Sequence, residues 1–162
     1  MGAFRDCTSL ALTELPVELT SIGEAAFQNC ISLALSELPA GLTSIGVAAF
    51  QGCTNLMLTK LPEQITRIRY NTFSNCSSLE VMELPAGLTH IDSRAFYGCT
   101  NLVLVISHAI NPPSLEWIPS WGINQFNNTH NNLVINVPAQ SVETYKNRWD
   151  WSEYAHRIAA ME

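Results

Sequence analysis

Residues 30–53 read CISLALSELPAGLTSIGVAAFQGC, so Cys30 and Cys53 stand 23 positions apart. The same interval reaches Cys7, Cys76 and Cys99, and the column holds all five cysteines of the chain. Phe4, Phe27, Phe50, Phe73 and Phe96 fill a second column, and Leu10, Leu33, Leu56, Leu79 and Leu102 a third. Leu15, Leu38, Leu61 and Leu84 are each followed by proline, at Pro16, Pro39, Pro62 and Pro85, and Ile22, Ile45, Ile68 and Ile91 make a further column. One period shared by so many columns is the signature of stacked supersecondary units, a solenoid in which each coil buries its apolar face against its neighbours.

The two halves of each row differ. Leu10 and Leu12 alternate with Ala11 and Thr13, which predicts a short strand with one buried face that ends at Pro16. A second extended piece follows from Leu19 to Ile22, and Glu24 to Gln28 is compatible with a helical turn. The residue before each cysteine is Asp6, Asn29, Gly52, Asn75 or Gly98, types that tolerate the left-handed conformation in which such a turn ends. Phe and Cys are expected to point inward.

The pattern C-x-x-L-x-x-x-x-L-P-x-x-L-T-x-I-G-x-x-A-F, carried by Cys30, Leu33, Leu38, Pro39, Leu42, Thr43, Ile45, Gly46, Ala49 and Phe50, resembles the BspA-like class of bacterial leucine-rich repeats. The resemblance extends over residues 2–106. It implies a curved solenoid of a secreted or cell-surface protein, in a family some of whose members bind host proteins and other cells. The third row departs from the pattern with Arg67, Arg69, Tyr70, Asn71 and Thr72 where other rows have small residues.

The next lattice positions hold His108, Pro119 and Gly122 in place of Pro, Phe and Cys, so the repeat stops near Ile106. Pro112 and Pro113, Trp117, Trp121 and the Asn-rich stretch 124–132 read as an irregular loop, and 133–138 as a strand. The last segment, Ser141 to Met161, reads as helical, with Asp150 or Ser152 placed to cap a second helix over the open end of the stack. The expected fold is therefore α/β. Residues 1–106 form a leucine-rich-repeat solenoid of about four to five coils, built of short strands plus short helical turns and entered in mid-repeat, and 107–162 form a loop, strand and helical C-terminal cap.

With a net charge of −6 and only 14% charged residues, the chain lacks the positive field that nucleic-acid binding needs. No run of apolar residues is long enough for membrane insertion. The start Met-Gly-Ala-Phe is not a secretory signal, and any native one is expected upstream.

The cysteine column admits core thiols, disulfides or a metal ladder. Adjacent coils about 4.8 Å apart would fall inside the disulfide window. An odd count, parallel side chains and the lack of any C-x-x-C favour buried thiols. The histidines, His90, His108, His130 and His156, share no ligand spacing, and neither a nucleophile elbow nor a phosphate loop appears. No catalytic, cofactor or metal site is assigned, and the chain reads as no enzyme.

For binding, the informative positions are those the lattice leaves free. Thr13, Ser36, Thr59 and Met82 are expected to point out of the strand face, with Glu14, Glu37, Lys60 and Glu83 beside them. A shallow exposed sheet of this kind commonly serves repeat proteins as a binding face, although solubility alone also selects Thr and Glu there. Lys60, Arg67, Arg69 and Tyr70 form a second cluster, read as variation among repeats. The reading is a noncatalytic, adhesin-like interaction module of a surface or secreted bacterial protein whose partner is a host or microbial macromolecule, a protein first of all. The alternative is a structural spacer that presents another domain, and exposed aromatic residues such as Trp117 and Trp121 would favour binding over it.

Overall fold

The computed structural model describes residues 2–116 and 124–162. Its coils stack in register along two ladders of short parallel strands. The Ile column contributes β1 (Ser21–Ile22), β2 (Ser44–Ile45), β3 (Arg67–Ile68), β5 (His90–Ile91) and β7 (Ser114–Leu115). These pair as β1-β2 and as β3-β5-β7, each strand one coil from the next. The Leu-x-Leu half contributes β4 (Val81–Leu84), β6 (Leu104–Ser107) and β8 (Val134–Val137), joined at the edge by β9 (Ile158–Ala160).

The segment that sequence makes helix-compatible closes instead as a string of tight turns. Amides of Ala26, Gln28, Cys30 and Leu33 donate to the carbonyls of Gly23, Ala25, Phe27 and Cys30. Ala25 and Asn29 stand at φ of 52° and 60°, and these left-handed residues interrupt any right-handed run. The amides of Ala25, Phe27 and Asn29 are taken by the next coil, donating to Val47, Ala49 and Gln51, so they have none left for a helical ladder. Stacking between coils thus replaces hydrogen bonding within a helix. As expected, Asp6, Asn29, Gly52, Asn75 and Gly98 all adopt positive φ.

The same stacking aligns the phenylalanines. Rings of Phe4, Phe27, Phe50, Phe73 and Phe96 lie 5.3–5.7 Å apart and nearly parallel. Beside them Cys30, Cys53, Cys76 and Cys99 are buried free thiols, whereas Cys7 in the first coil is exposed. The column does not stop with the sequence lattice. Phe126 stacks on Phe96 at 5.4 Å, although 30 residues separate them, and β7 follows β5 at an interval of 24. The longer intervals here leave the stack intact.

Leu33 to Leu38, Leu56 to Leu61 and Leu79 to Leu84 each span five positions, and a strand turns side chains inward every second residue. An odd interval between two inward leucines requires one place where two consecutive residues face out. In the second and third coils that place is Ser36-Glu37 and Thr59-Lys60, all exposed, with Leu35 and Leu58 buried before it. In the fourth and fifth coils it moves earlier, to Glu80-Val81 and Val103-Leu104, and Met82, Leu84 and Val105 go inside. The four-residue strands of this ladder, Val81–Leu84 and Leu104–Ser107, begin directly at the shifted pair.

At the C-terminal end the stack is closed by aromatic side chains. Tyr154 meets Phe126 edge-on at 5.3 Å, and the buried Trp151 packs edge-on against Tyr145 at 5.0 Å. The helical part of the cap is short: α1 (Val142–Asn147) and 3₁₀ turns at Ala139–Ser141 and Ser152–Arg157. Neither expected helix cap forms. Asp150 accepts the Leu115 amide at 2.9 Å and pairs with Arg148 at 2.8 Å, while Ser152 Oγ donates to the Trp149 carbonyl. Instead of continuing as helix, Ile158–Ala160 adds β9 parallel to β8, placing Ile158 in the core. The Trp151 indole N–H donates to the Pro113 carbonyl at 2.7 Å, which ties the cap to the proline step. At the opposite end the first coil leaves an open cavity of about 820 Å³, lined by Phe4, Leu12, Leu15, Val17, Leu19 and Phe27 among others.

Candidate interaction face

Seven of the eight residues expected on the outward face are accessible there. Thr13, Glu14, Ser36, Glu37, Thr59 and Lys60 are exposed, and Glu83 is half-buried. Met82 is a correction. Its side chain is fully buried, because the paired outward residues of its coil are Glu80 and Val81. The signal was present in the column itself: Thr13, Ser36 and Thr59 are polar, while Met82 and Val105 are apolar.

The face therefore changes character along the stack. Its first part is hydroxylic and charged. In its second part Val81, Leu104 and Val134 occupy one row across β4, β6 and β8 in ladder register, and Glu83, Ile106 and Asn136 occupy the next. Their inward neighbours, Met82, Val105 and Ile135, are fully buried. Glu83 lies 3.5 Å from the His108 Nε2 and shares a parallel bridge with Lys60.

The third-row cluster is divided by the structure. Arg67 is engaged by carboxylates: its Nε lies 2.9 Å from Asp92 and its terminal nitrogen 2.8 Å from Glu116. Burial pushes the Asp92 carboxyl above its ordinary range, and the hydrogen bond from Arg67 opposes that shift. Lys60 belongs to the other ladder, so the sequence grouping is not a single patch. Trp117 and Trp121 lie outside the described residues. Among the described aromatic side chains Trp149 is strongly exposed, whereas Trp151 is sealed in the cap. Among the described residues no group of three His, Cys, Asp or Glu side chains could hold a metal ion, and no helix is long and apolar enough to cross a membrane.

Four buried thiols have their partners in the backbone. Each Sγ donates to the carbonyl of a phenylalanine in the preceding coil: Cys30 to Phe4, Cys53 to Phe27, Cys76 to Phe50 and Cys99 to Phe73, at 2.9–3.1 Å. Burial is the main cause that pushes the Cys53 and Cys99 thiols up to about 12, and Cys76 is also raised well above its ordinary value. Such thiols are poor nucleophiles and poor metal ligands, since both roles need the thiolate.

Comparison with known proteins agrees with the geometry. The BspA type leucine rich repeat region, in six copies, matches residues 1–112. Among solved structures, the chain is similar to a leucine rich cell surface protein from Faecalibacterium prausnitzii A2-165, with 27% identity over 76% of this chain and 30% of that one and a TM-score of 0.62. It is also similar to a leucine-rich repeat protein from Bacteroides ovatus, with 25% identity over 88% of this chain and 28% of that one and a TM-score of 0.55. The chain thus spans less than a third of either structure. No curated protein matches it. On the match over residues 1–112, together with the stacked Phe and Cys columns that produce it, the chain belongs to the BspA-type leucine-rich repeat family.

Proposed function

We propose that this chain is a noncatalytic protein-interaction module, part of a surface or secreted bacterial protein, and that it binds a host or microbial macromolecule through the outward face of its Leu-x-Leu ladder. The observation that carries the reading is the regular exposure of Thr13, Glu14, Ser36, Glu37, Thr59 and Lys60, with Leu35 and Leu58 buried beside them in the second and third coils. A stacked array of this kind presents an extended surface that can change residue by residue without disturbing the fold. The surface location is supported by the family and by the cell-surface description of the Faecalibacterium neighbour.

The test is a binding screen of the purified chain against immobilised extracellular-matrix and cell-surface proteins, with Thr13, Ser36 and Thr59 replaced together by lysine as the control. Saturable binding that the folded triple variant loses supports an adhesin-like module on this half of the face. Absence of binding across the panel favours a spacer that presents another domain.

A further inference from the structure

We propose that the second half of the sheet face, over β4, β6, β8 and β9, docks a protein segment in which aliphatic side chains alternate with lysine or arginine. This rests on the reading of the chain as a protein-binding module and names the chemistry of its partner.

The argument begins with the shifted break in alternation. Once Glu80-Val81 and Val103-Leu104 become the outward pairs, the ladder turns Val81, Leu104 and Val134 outward in register while the core is filled by Met82, Val105 and Ile135. None of the three outward residues is needed to fill the interior. Val103 and Val134 are each 39% exposed, and Met57, one coil earlier beside a groove that also touches Val81 and Glu80, is 51% exposed. Ile106 extends the apolar area along β6. Neighbouring, in-register aliphatic side chains on a solvent face form a patch rather than scattered exposure, and patches of this kind mark interaction sites.

Charge indicates the partner. The patch is bordered by Glu80 and Glu83, and Glu37 continues the same outward column. Lys60 is the one basic side chain in that column, which also contains Glu14. The chain as a whole carries −6. An aliphatic strip edged by carboxylates fits a segment that sets Val, Ile or Leu against the strip and Lys or Arg against its border, as an extended strand does with alternate residues.

The test is fluorescence anisotropy with the whole chain and labelled eight-residue peptides: alternating Lys and Val, the same with Glu for Lys, and the same with Ser for Val. The Lys-Val peptide is expected to bind saturably, with binding weakened by salt and by about tenfold or more in Val134→Lys and in Glu80→Lys. The Glu-Val and Ser-Lys peptides are expected to bind at least about tenfold more weakly, and Gln64→Lys, at an exposed position outside the strand face, is expected to leave the Lys-Val affinity unchanged. Glu80 is exposed, so its variant judges the proposal even if Val134→Lys folds poorly. Equal binding of the Ser-Lys peptide, no loss in Glu80→Lys, or no peptide binding overturns it. A chain that captures proteins in the screen but ignores these peptides keeps the binding-module reading and loses this one. A chain that captures nothing in the screen sinks the broader reading, while the peptide titration still decides whether the patch recognises basic aliphatic segments.

Discussion

The thiol of Cys53 donates to the backbone carbonyl of Phe27 at 3.0 Å, across the boundary between two coils. The contact repeats from Cys30 to Cys99, so each coil is fastened to the one before it by a side chain that also fills core volume. Cys53→Ala removes both and is expected to cost about 1–3 kcal/mol, against less than about 0.5 kcal/mol for Cys7→Ala at the exposed end. Urea midpoints of the two variants check this. In the native protein a thiol reagent should label one cysteine per chain, Cys7. Rapid labelling of all five before unfolding would refute the burial of the column.

Alkaline conditions should loosen the stack. An unfolded thiol ionises near its ordinary value of 9.0, whereas burial pushes Cys53 and Cys99 up to about 12 and likewise raises the Tyr145 phenol from 10.0 to about 12. Between those limits the unfolded chain binds fewer protons than the folded one. Stability is therefore whole below pH about 9 and falls as pH rises toward about 12. The urea midpoint should drop from about pH 8 to about pH 10.5, and the drop should be smaller in Cys53→Ala.

Glycines separate tight coil contacts from open ones. Gly52 stands at φ +74°, and a Cβ there would lie 2.5 Å from the Asn29 Oδ1 of the preceding coil. At Gly46 a Cβ would lie 2.5 Å from the Glu24 backbone nitrogen, which cannot swing aside as a side chain can. At Gly41 it would meet nothing within 4 Å. Gly46→Ala and Gly52→Ala are expected to destabilise by about 1–3 kcal/mol and Gly41→Ala by less than about 0.5 kcal/mol. Adding Asn29→Gly should recover part of the Gly52→Ala loss, because it removes the overlap while leaving the φ penalty. Thermal unfolding of the double variant measures that share.

Lysine substitutions read out the shifted break in alternation. Thr59→Lys, on an exposed position, should change stability by less than about 0.5 kcal/mol, whereas Met82→Lys in the same sequence column forces a charge into the core and should cost more than about 3 kcal/mol. Similar midpoints for the two would mean that the column faces one way throughout.

The solenoid, its inward Phe and Cys columns and the left-handed residue before each cysteine are legible in the sequence because they repeat at a fixed interval. The closing coil is not, since its connections are longer and the interval is lost. A trace remains in Phe126-Asn127-Asn128, which has the form of Phe27-Gln28-Asn29. Asn128 takes φ 57° as Asn29 takes 60°, and the Thr129 amide closes on Phe126 as the Cys30 amide closes on Phe27. Outward positions are harder to read for a different reason. Their direction follows from the parity of the strand, so Met82 could be placed only by noticing that its column changes from polar to apolar.

The movable pair of outward residues makes surface and scaffold separately adjustable. An odd spacing between buried leucines obliges every coil to include one phase slip, but nothing obliges it to occur at the same step. Moving the slip two residues earlier, as between the third and fourth coils, exchanges an outward Thr59 over a buried Leu58 for an outward Val81 over a buried Met82, while the phenylalanine stack runs on unchanged. Each coil can thus be repainted by a few substitutions that leave its neighbours untouched, which gives an array of near-identical units a face without internal symmetry.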